Sequence, residues 1–250
     1  MADSARKAGV KKIISAAFSG ETDPVLSQHV DAIEWMRVGQ LSRLLKFFRE
    51  QQIHHAVMAG QIAPQNLFDL RPDWKALLLI AQLKQRNAES IFAAIADELA
   101  KIDVNLLSAT SFLSENLATA GLIAGPPVSR REQGDVDFGW KMAKEIARLD
   151  IGQTVIVKNG TVLAVEGFEG TNETIKRGGK LARKAAVMIK VAKPNQDVRF
   201  DVPVIGVETI QVAMEANLRV IAVEAGSTLL LEKEAIIDLA NRSKISIIGR

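Results

Sequence analysis

The chain has 250 residues, of which 48% are hydrophobic, and its 32 basic and 29 acidic side chains nearly balance. This length accommodates one large or two modest domains with complete cores, and the composition is that of a globular protein. The chain has no cysteine, which excludes disulfides, thiolate metal sites and cysteine nucleophiles. No apolar run approaches the ~20 residues of a membrane span, and charges interrupt the region where a signal peptide has its apolar core. We therefore expect a cytoplasmic protein.

The first half alternates apolar, strand-like runs with helical stretches. Strands are predicted in four segments, residues 10–17, 32–37, 55–60 and 104–107. Leu41–Gln51 has the apolar stripe of an amphipathic helix, and helices are predicted to dominate between Trp74 and Lys101. Strands that alternate with helices are typical of a parallel sheet with helices on its faces. Residues 1–125 are therefore predicted to form a Rossmann-like α/β domain with a parallel sheet.

A break in regular structure separates the two halves at Gly125–Pro127, so residues 126–133 are predicted to be a linker. Beyond it, Asp135 is predicted to cap a helix that ends near Leu149. The further predicted elements are a hairpin at 154–165 with Asn159-Gly160 at its turn, strands at 187–191, 219–224, 228–231 and 245–248, and a helix at 233–242. Residues 134–250 are thus predicted to form a second, mixed α/β domain.

The densest polar chemistry of the chain lies between Lys190 and Pro203. Two prolines keep this segment from being helical, so we expect it to be extended or turning. On an extended segment, Asp197, Arg199 and Asp201 point to the same face, where two carboxylates can share a metal ion or a substrate phosphate. Charge runs of alternating sign also form solvated loops with weak ion pairs, and both interpretations stay open at this point.

A second polar segment, Glu166–Asn172, follows the predicted hairpin and leads into a helix that is predicted to begin near Glu173. A glycine-bearing turn at a helix start presents backbone N–H groups that bind phosphate. Glu166 and Glu169 are candidate metal ligands or bases, although acids and glycines at a helix start are also ordinary capping residues. Asp137 is a further candidate ligand. Oxygen ligands without cysteine or clustered histidine favour Mg²⁺ or Mn²⁺ over zinc.

Basic residues are concentrated in a short span of the second half: Lys176, Arg177, Lys180, Arg183, Lys184, Lys190 and Lys193. Such a group suits nucleotide phosphates, nucleic acid or an anionic bilayer surface, and a solvated helix face has the same composition. RNA-binding surfaces usually expose aromatic side chains for stacking, whereas this chain has no tyrosine and few other aromatic residues. We therefore expect no nucleic-acid partner.

Several short motifs, taken in their order and spacing, identify a family. They are Gly39-Gln40-Leu41, Met58-Ala59-Gly60, Leu70-Arg71-Pro72-Asp73, Gly134–Gly139, Gly152-Gln153, Ala164–Thr171, Val191–Asp197 and Asp201–Pro203. Together they resemble the LpxI-type UDP-2,3-diacylglucosamine pyrophosphatases from Ala5 to the C-terminus. The resemblance implies cleavage of the pyrophosphate bond of a lipid A precursor to UMP and a diacylglucosamine 1-phosphate (lipid X). It also implies a divalent metal and a homodimer.

The resemblance and the polar segments together predict a metal-assisted phosphoanhydride hydrolase with its site between the two halves. The residues expected to act in catalysis are Asp201, Asp197, Lys193 and Arg199. Those expected to bind the substrate are Lys190, Gln196, Gln153, Thr171, Gly170 and Glu169. The expected ligands of Mg²⁺ or Mn²⁺ are Asp201, Asp197, Glu166 and Asp137. In this hypothesis the acids hold the metal or orient water, and the cations neutralise charge on the phosphate oxygens.

The chain departs from the family pattern at its N-terminus. Family members begin with a strand and a glycine-rich turn of the form Gly-Leu-Ile-Ala-Gly-x-Gly-x-x-Pro, whereas Met1–Gly9 is predicted to lie in the first helix. We therefore expect the first strand to be missing from the sheet of the first half.

The main alternative to an enzyme is a protein that binds a nucleotide sugar or another phosphate ligand without cleaving it. Metal-dependent turnover separates the two hypotheses. For an enzyme that acts on such a lipid, peripheral contact with the inner membrane is expected, with the basic residues as a contributing surface.

Overall fold

A computed structural model describes residues 1–60, 72–85, 87–194 and 196–250 of the chain. Leu70, Arg71 and Asn195, which belong to the family motifs, lie outside these residues. The described chain combines helices and strands throughout, which confirms the predicted mixed α/β class. Among the described residues, no helix is long and apolar enough to span a bilayer.

The chain divides into two compact units. The first unit consists of Met1–Leu113 with Asp197–Asp201, and the second of Ser114–Gln196 with Val202–Arg250. Residues 126–133, predicted as the linker, lie within the second unit, and a helix begins there at Arg130. The preceding Gly121–Ala124 pairs with the last strand of the chain, a long-range contact that the sequence does not reveal.

In its described residues, the first unit contains four α-helices and four short strands. They are α1 (Ala2–Lys7), β1 (Ile14–Phe18), β2 (Ala32–Met36), α2 (Leu41–Glu50), β3 (His55–Ala56), α3 (Trp74–Gln82), α4 (Ala88–Ala100) and β4 (Asn105–Leu106). β1 pairs with β2 and β3 with β4, both in parallel, which is consistent with the predicted parallel sheet. The strand predicted at 55–60 is shorter than expected, because only its first two residues pair.

The core of the first unit forms where α2 packs on the other helices. Leu41 and Leu45, part of the stripe predicted from the sequence, are buried there. Phe200 packs against this core, and its ring centroid lies 5.7 Å from that of Phe92. This contact explains why the short segment Asp197–Asp201 belongs to the first unit although its neighbours in sequence do not.

One carboxylate of the first unit caps two helices. Asp73 accepts from the backbone N–H of Ala76 in α3 at 2.9 Å and from that of Ser42 in α2 at 2.7 Å. Its own N–H donates to the carbonyl of Gly39 at 3.0 Å. Unsatisfied N–H groups at a helix start are costly, so Asp73 fixes the junction of α2 and α3. The motifs Gly39-Gln40-Leu41 and Leu70-Arg71-Pro72-Asp73 thus contact each other through Gly39 and Asp73, and this contact has a structural role.

A six-stranded sheet with the order β5-β12-β10-β8-β6-β7 organises the second unit. The elements are β5 (Gly121–Ala124), α5 (Arg130–Arg148), β6 (Thr154–Lys158), β7 (Thr161–Val165), α6 (Thr171–Ala182), β8 (Ala186–Lys190), β9 (Val204–Ile205), α7 (Val207–Glu215), β10 (Leu218–Val223), β11 (Leu229–Leu230), α8 (Lys233–Ser243) and β12 (Ser246–Gly249). β8, β10 and β12 run parallel, and β6 is antiparallel to β8. Because β7 is antiparallel to β6, the C-terminal ends of β7, β8, β10 and β12 share one edge of the sheet.

Both faces of this sheet are covered. Along β8, Val187 and Ile189 pack with residues of α5, whereas Ala186 and Met188 pack with residues of α6, α7 and α8. Successive side chains of a strand point to opposite faces, so burial of both faces produces the continuous apolar run read in the sequence. Lys190, which is next on the Met188 face, brings a charge to the end of this apolar strand.

The prediction that Asp135 caps α5 is wrong. Ser129 is the N-cap, in a reciprocal arrangement with Glu132, and Asp135 lies inside the helix at 6% exposure. Its carboxylate accepts from the N–H groups of Asn159 and Gly160 at 2.9 and 2.7 Å. Both turn residues have positive φ, as a two-residue hairpin requires. Asp135 therefore joins the helix to the confirmed β6–β7 hairpin.

Candidate functional site

A buried lysine at the C-terminal end of β8 takes part in a chain of hydrogen bonds. The Lys190 ammonium donates to Thr171 Oγ1 at 2.6 Å, and this hydroxyl donates to Glu166 Oε1 at 2.6 Å. An ammonium has only donors and a carboxylate only acceptors, so the direction of both bonds follows from the chemistry. Lys190 is 4% exposed and Glu166 is 7% exposed. We name Lys190, Thr171 and Glu166 the relay.

Backbone contacts hold Glu166 in place just after β7. Its N–H donates to the carbonyl of Thr154 at 2.8 Å, and its Oε2 accepts from the N–H of Gln153 at 3.4 Å. Gly152 passes so close that a Cβ atom there would lie 2.1 Å from the carbonyl oxygen of Glu166. Sterics therefore explain the glycine of the Gly152-Gln153 motif, because a larger residue at position 152 would displace Glu166 and its carboxylate.

The relay adjoins the N-terminus of α6, which begins at Thr171 rather than near Glu173 as predicted. The N-cap is Gly170, at φ +82°, and it supplies no side-chain acceptor to the first turn. The first-turn N–H groups of a helix have no partner within the helix and carry partial positive charge. An anion at this end would therefore meet backbone donors beside the Lys190 ammonium, an arrangement that suits a phosphate group.

Glu169, a predicted substrate-binding residue, holds its own turn together. Its carboxylate accepts from Arg177 and from the N–H of Gly167, at 3.1 Å for the latter. A hydrogen bond from the residue's own backbone, followed by the bond from Arg177, holds the pKa of Glu169 below its ordinary value. Glu169 is therefore ionised at neutral pH and engaged by donors of its own chain.

Several polar atoms around the relay are buried without a hydrogen-bond partner in the part of the chain that the structure describes: Thr154 Oγ1, Gln153 Oε1 and Gln196 Nε2. Thr154 is fully buried and lies opposite Lys190 in the β6–β8 register, so both side chains share one face of the sheet. A buried polar group without a partner costs about 1–3 kcal/mol. Such groups at one sheet edge are therefore candidate contacts for a polar ligand.

The turn after β8 brings two more predicted residues to this edge. Gln196 accepts from the N–H of Lys193 through its Oε1 at 3.0 Å. The ammonium of Lys193 forms an ion pair with Asp150 at 2.6 Å. The N–H of Val191 donates to the carbonyl of Gln153 at 3.0 Å, which ties this turn to the start of β6. The structure thus brings Gln153, Lys193 and Gln196 together near the end of β8.

Of the two geometries expected for the segment with Asp197, Arg199 and Asp201, extended or turning, the structure has the turn. The chain turns over residues 198–200, and the N–H of Asp201 donates to the carbonyl of Asp197 at 2.9 Å. Asp197 and Arg199 instead form a fork of charged hydrogen bonds, with Arg199 Nη2 2.6 Å from Asp197 Oδ2. This bond lowers the pKa of Asp197 and raises that of Arg199. Within this turn, Phe200 packs against the core of the first unit.

The described side chains do not form a preformed metal cage. Within the described ranges, no group of three or more acidic or histidine side chains is placed to hold an ion. Asp197 is engaged by Arg199, Glu166 by Thr171 and Gln153, and Asp137 by Arg250 and Gln133. A cation shared with substrate phosphates needs only one or two carboxylates, so metal binding stays a prediction.

Lys144 and Glu224, which were not predicted as site residues, form a polar pair just after the end of β10. Glu224 accepts from the ammonium of Lys144 at 2.6 Å and from the N–H of Ala192 at 2.7 Å. Lys144 lies 5.9 Å from the ring centroid of Trp140. Glu224 holds the segment after Lys190 in place. Its position directly after a buried parallel strand is a signal that could have identified it.

The basic residues grouped in the sequence do not form one surface. Lys190 is buried, Lys193 pairs with Asp150, and Arg177 bonds to Glu169. The side chains that line a shallow depression on the second unit, beside Glu215 and Asn217, are Lys176, Lys180 and Arg183. These three residues and Lys184, which is also exposed, are a candidate solvent-facing surface for anions.

Comparison with known proteins connects this geometry to a family. Residues 1–116 match the family description "LpxI N-terminal domain", and residues 119–248 match "LpxI C-terminal domain". A protein of Caulobacter vibrioides named UDP-2,3-diacylglucosamine pyrophosphatase LpxI is 29% identical over 238 residues. The alignment covers 91% of this chain and 84% of that protein.

Proposed function

We propose that this chain, which belongs to the LpxI family, hydrolyses the pyrophosphate bond of UDP-2,3-diacylglucosamine in lipid A biosynthesis. Water would add to one phosphorus and the bridging P–O bond would break, giving UMP and 2,3-diacylglucosamine 1-phosphate. The observation that carries the proposal is the match of both family domains, in order, over almost the whole chain. The name of the Caulobacter vibrioides relative supports the same reaction.

The chemistry of the strand-end residues suits this substrate. Cleavage of a phosphoanhydride moves negative charge onto the phosphate oxygens, and preorganised donors stabilise that charge. Lys190 and the first turn of α6 are such donors, and burial strengthens their electrostatic effect. The unpartnered atoms of Gln153, Thr154 and Gln196 are proposed to contact polar groups of the nucleotide sugar. Asp201 is proposed to orient the attacking water.

The proposal includes three further expectations. Mg²⁺ or Mn²⁺ would bind with the substrate phosphates rather than in a cage made by the protein alone. The protein would act in the cytoplasm with peripheral contact at the inner membrane, because both the substrate and the lipid product carry acyl chains. A homodimer is the proposed assembly, on the basis of family resemblance.

The test is release of UMP from UDP-2,3-diacylglucosamine in Mg²⁺ or Mn²⁺ and then in EDTA. We expect metal-dependent release by the wild-type protein. The variant Lys190→Met should lower kcat/KM by about 10²–10³-fold, the loss typical for one electrostatic donor. Lys141→Met, an exposed lysine on α5, is the matched control and should leave kcat/KM unchanged. A folded wild-type protein that binds the substrate and releases no UMP would instead be a nucleotide-sugar binding protein.

A further inference from the structure

We infer that Glu166 is a positioning residue, which orients Thr171 toward Lys190, and not a metal ligand. The inference deepens the proposed function and rests on it for the identity of the substrate. It begins from the bond pattern of the relay, in which Thr171 Oγ1 donates to Glu166 and accepts from Lys190. A hydroxyl has a single proton. Because Thr171 uses that proton in its hydrogen bond to Glu166, the oxygen lone pairs of Thr171 Oγ1 face the Lys190 ammonium.

Burial gives this orientation its importance. Glu166 and Lys190 are both more than nine-tenths buried, so bulk water contributes little to the stabilisation of either charge. Hydrogen bonds to ionised groups are shorter and stronger than neutral ones, and here a single hydroxyl makes one such bond at each end. The ammonium is therefore held at one place beside the N-terminus of α6 before any ligand binds.

The surroundings of Glu166 also argue against metal binding. One carboxylate oxygen accepts from Thr171 and the other from the N–H of Gln153. Its backbone is pinned by Thr154, and Gly152 leaves no room for the carbonyl of Glu166 to shift toward it. In the described parts of the chain, no cluster of acidic or histidine side chains surrounds it. A carboxylate so engaged acts on its neighbours rather than on an ion.

Four variants test the inference in the UMP-release assay. Thr171→Ser keeps the hydroxyl and should retain nearly wild-type kcat. Thr171→Val and Glu166→Ala should each lower kcat by about 10–100-fold, the scale of a misplaced catalytic group. Glu166→Gln keeps an acceptor and should lose less. KM should change little, because the relay matters most for charge that develops in the transition state. Glu173→Gln, an exposed acid in the first turn of α6, is the control and should behave as wild type.

Two readouts do not depend on activity. Mn²⁺ binding, followed by electron paramagnetic resonance in the presence of UMP, which supplies a phosphate without turnover, should be the same in wild type and Glu166→Gln. Urea unfolding of Glu166→Gln, Thr171→Val and the double variant should be non-additive, since the two residues share one bond. Loss of a bound Mn²⁺ in Glu166→Gln, additive unfolding effects, or failure of Thr171→Ser to rescue kcat would overturn the inference. An inactive wild type would refute the proposed function alone, and these two readouts would still decide the role of Glu166.

Discussion

The two units place the same kinds of charge in opposite environments. In the first unit, Asp197 and Arg199 are two residues apart in sequence and bond directly, with side chains 25% and 38% exposed. In the second unit, Glu166 and Lys190 are distant in sequence, are linked through Thr171, and are almost fully buried. The fork is a local pair that water can replace. The relay joins residues that are far apart in sequence, so it forms only in the folded protein. Because it is buried, a substitution in it is not compensated by water.

This difference in burial determines how much each pair contributes to the free energy of unfolding. An exposed ion pair contributes about 0–1 kcal/mol, because water solvates both charges when they separate. Removing one partner of a buried pair leaves the other charge unsolvated and costs about 3–5 kcal/mol. The comparison therefore predicts that the relay is sensitive to substitution and that the fork is tolerant.

The largest expected effect is that of Glu166→Ala on stability. This change removes the buried carboxylate that is linked to Lys190 through Thr171, so the free energy of unfolding should fall by about 3–5 kcal/mol. Asp197→Ala, the matched change in the fork, should cost about 0–1 kcal/mol. Urea unfolding at neutral pH measures both. Equal losses in the two variants would remove the distinction between the relay and the fork.

A smaller loss is expected from Gly152→Ala. The added Cβ would lie 2.1 Å from the carbonyl oxygen of Glu166, so the relay must shift to admit it. Overpacking of this kind typically costs about 1–3 kcal/mol, and kcat should fall with it. Gly134→Ala, inside α5 with nothing within 4 Å of the new atom, should instead stabilise the protein by about 0.5–1 kcal/mol. Thermal unfolding distinguishes the two, and a harmless Gly152→Ala would show that the relay has room to move.

The smallest expected effect concerns the pH dependence of the fork. The bond from Arg199 lowers the pKa of Asp197 in the folded state, so its stabilising contribution is present above the pKa of the unfolded chain. That contribution is lost as the pH falls through the folded-state pKa, which lies below the ordinary value of an aspartate. Asp197→Asn should therefore be less stable than wild type by at most about 1 kcal/mol at pH 7, and the difference should shrink as the pH falls through that pKa. A difference that grows on acidification would contradict this sign.

Elements governed by near neighbours were predictable from the sequence. The hairpin over β6 and β7 follows from two apolar runs around Asn159-Gly160, and α2 follows from its apolar stripe. Strands β8, β10 and β12 are found within a residue or two of their predicted bounds, because a strand buried on both faces is apolar throughout. β5, β9 and α7 were not predicted from the sequence, because they are short or lack a strong local pattern.

The candidate site was predictable in its residue types more than in its geometry. Lys190, Thr171 and Glu166 were named from their motifs, yet their mutual bonds depend on where β7, β8 and α6 end in space. Asp135 looked like a helix cap and instead holds a turn more than twenty residues away. For Asp197 and Asp201 the sequence left an extended segment and a turn open, and the structure has the turn, with Phe200 packed against the core of the first unit.

The sequence by itself determined the class of fold, the family and most of the regular elements, because these depend on periodicity and on motifs that are local in the chain. Only the tertiary structure decided which charges are buried, which carboxylates are already engaged and which polar atoms are left without partners. These properties depend on residues far apart in sequence that meet at one edge of a sheet. Burial removes the water that would otherwise satisfy them, so the contacts made there decide what Glu166, Thr171 and Lys190 can do.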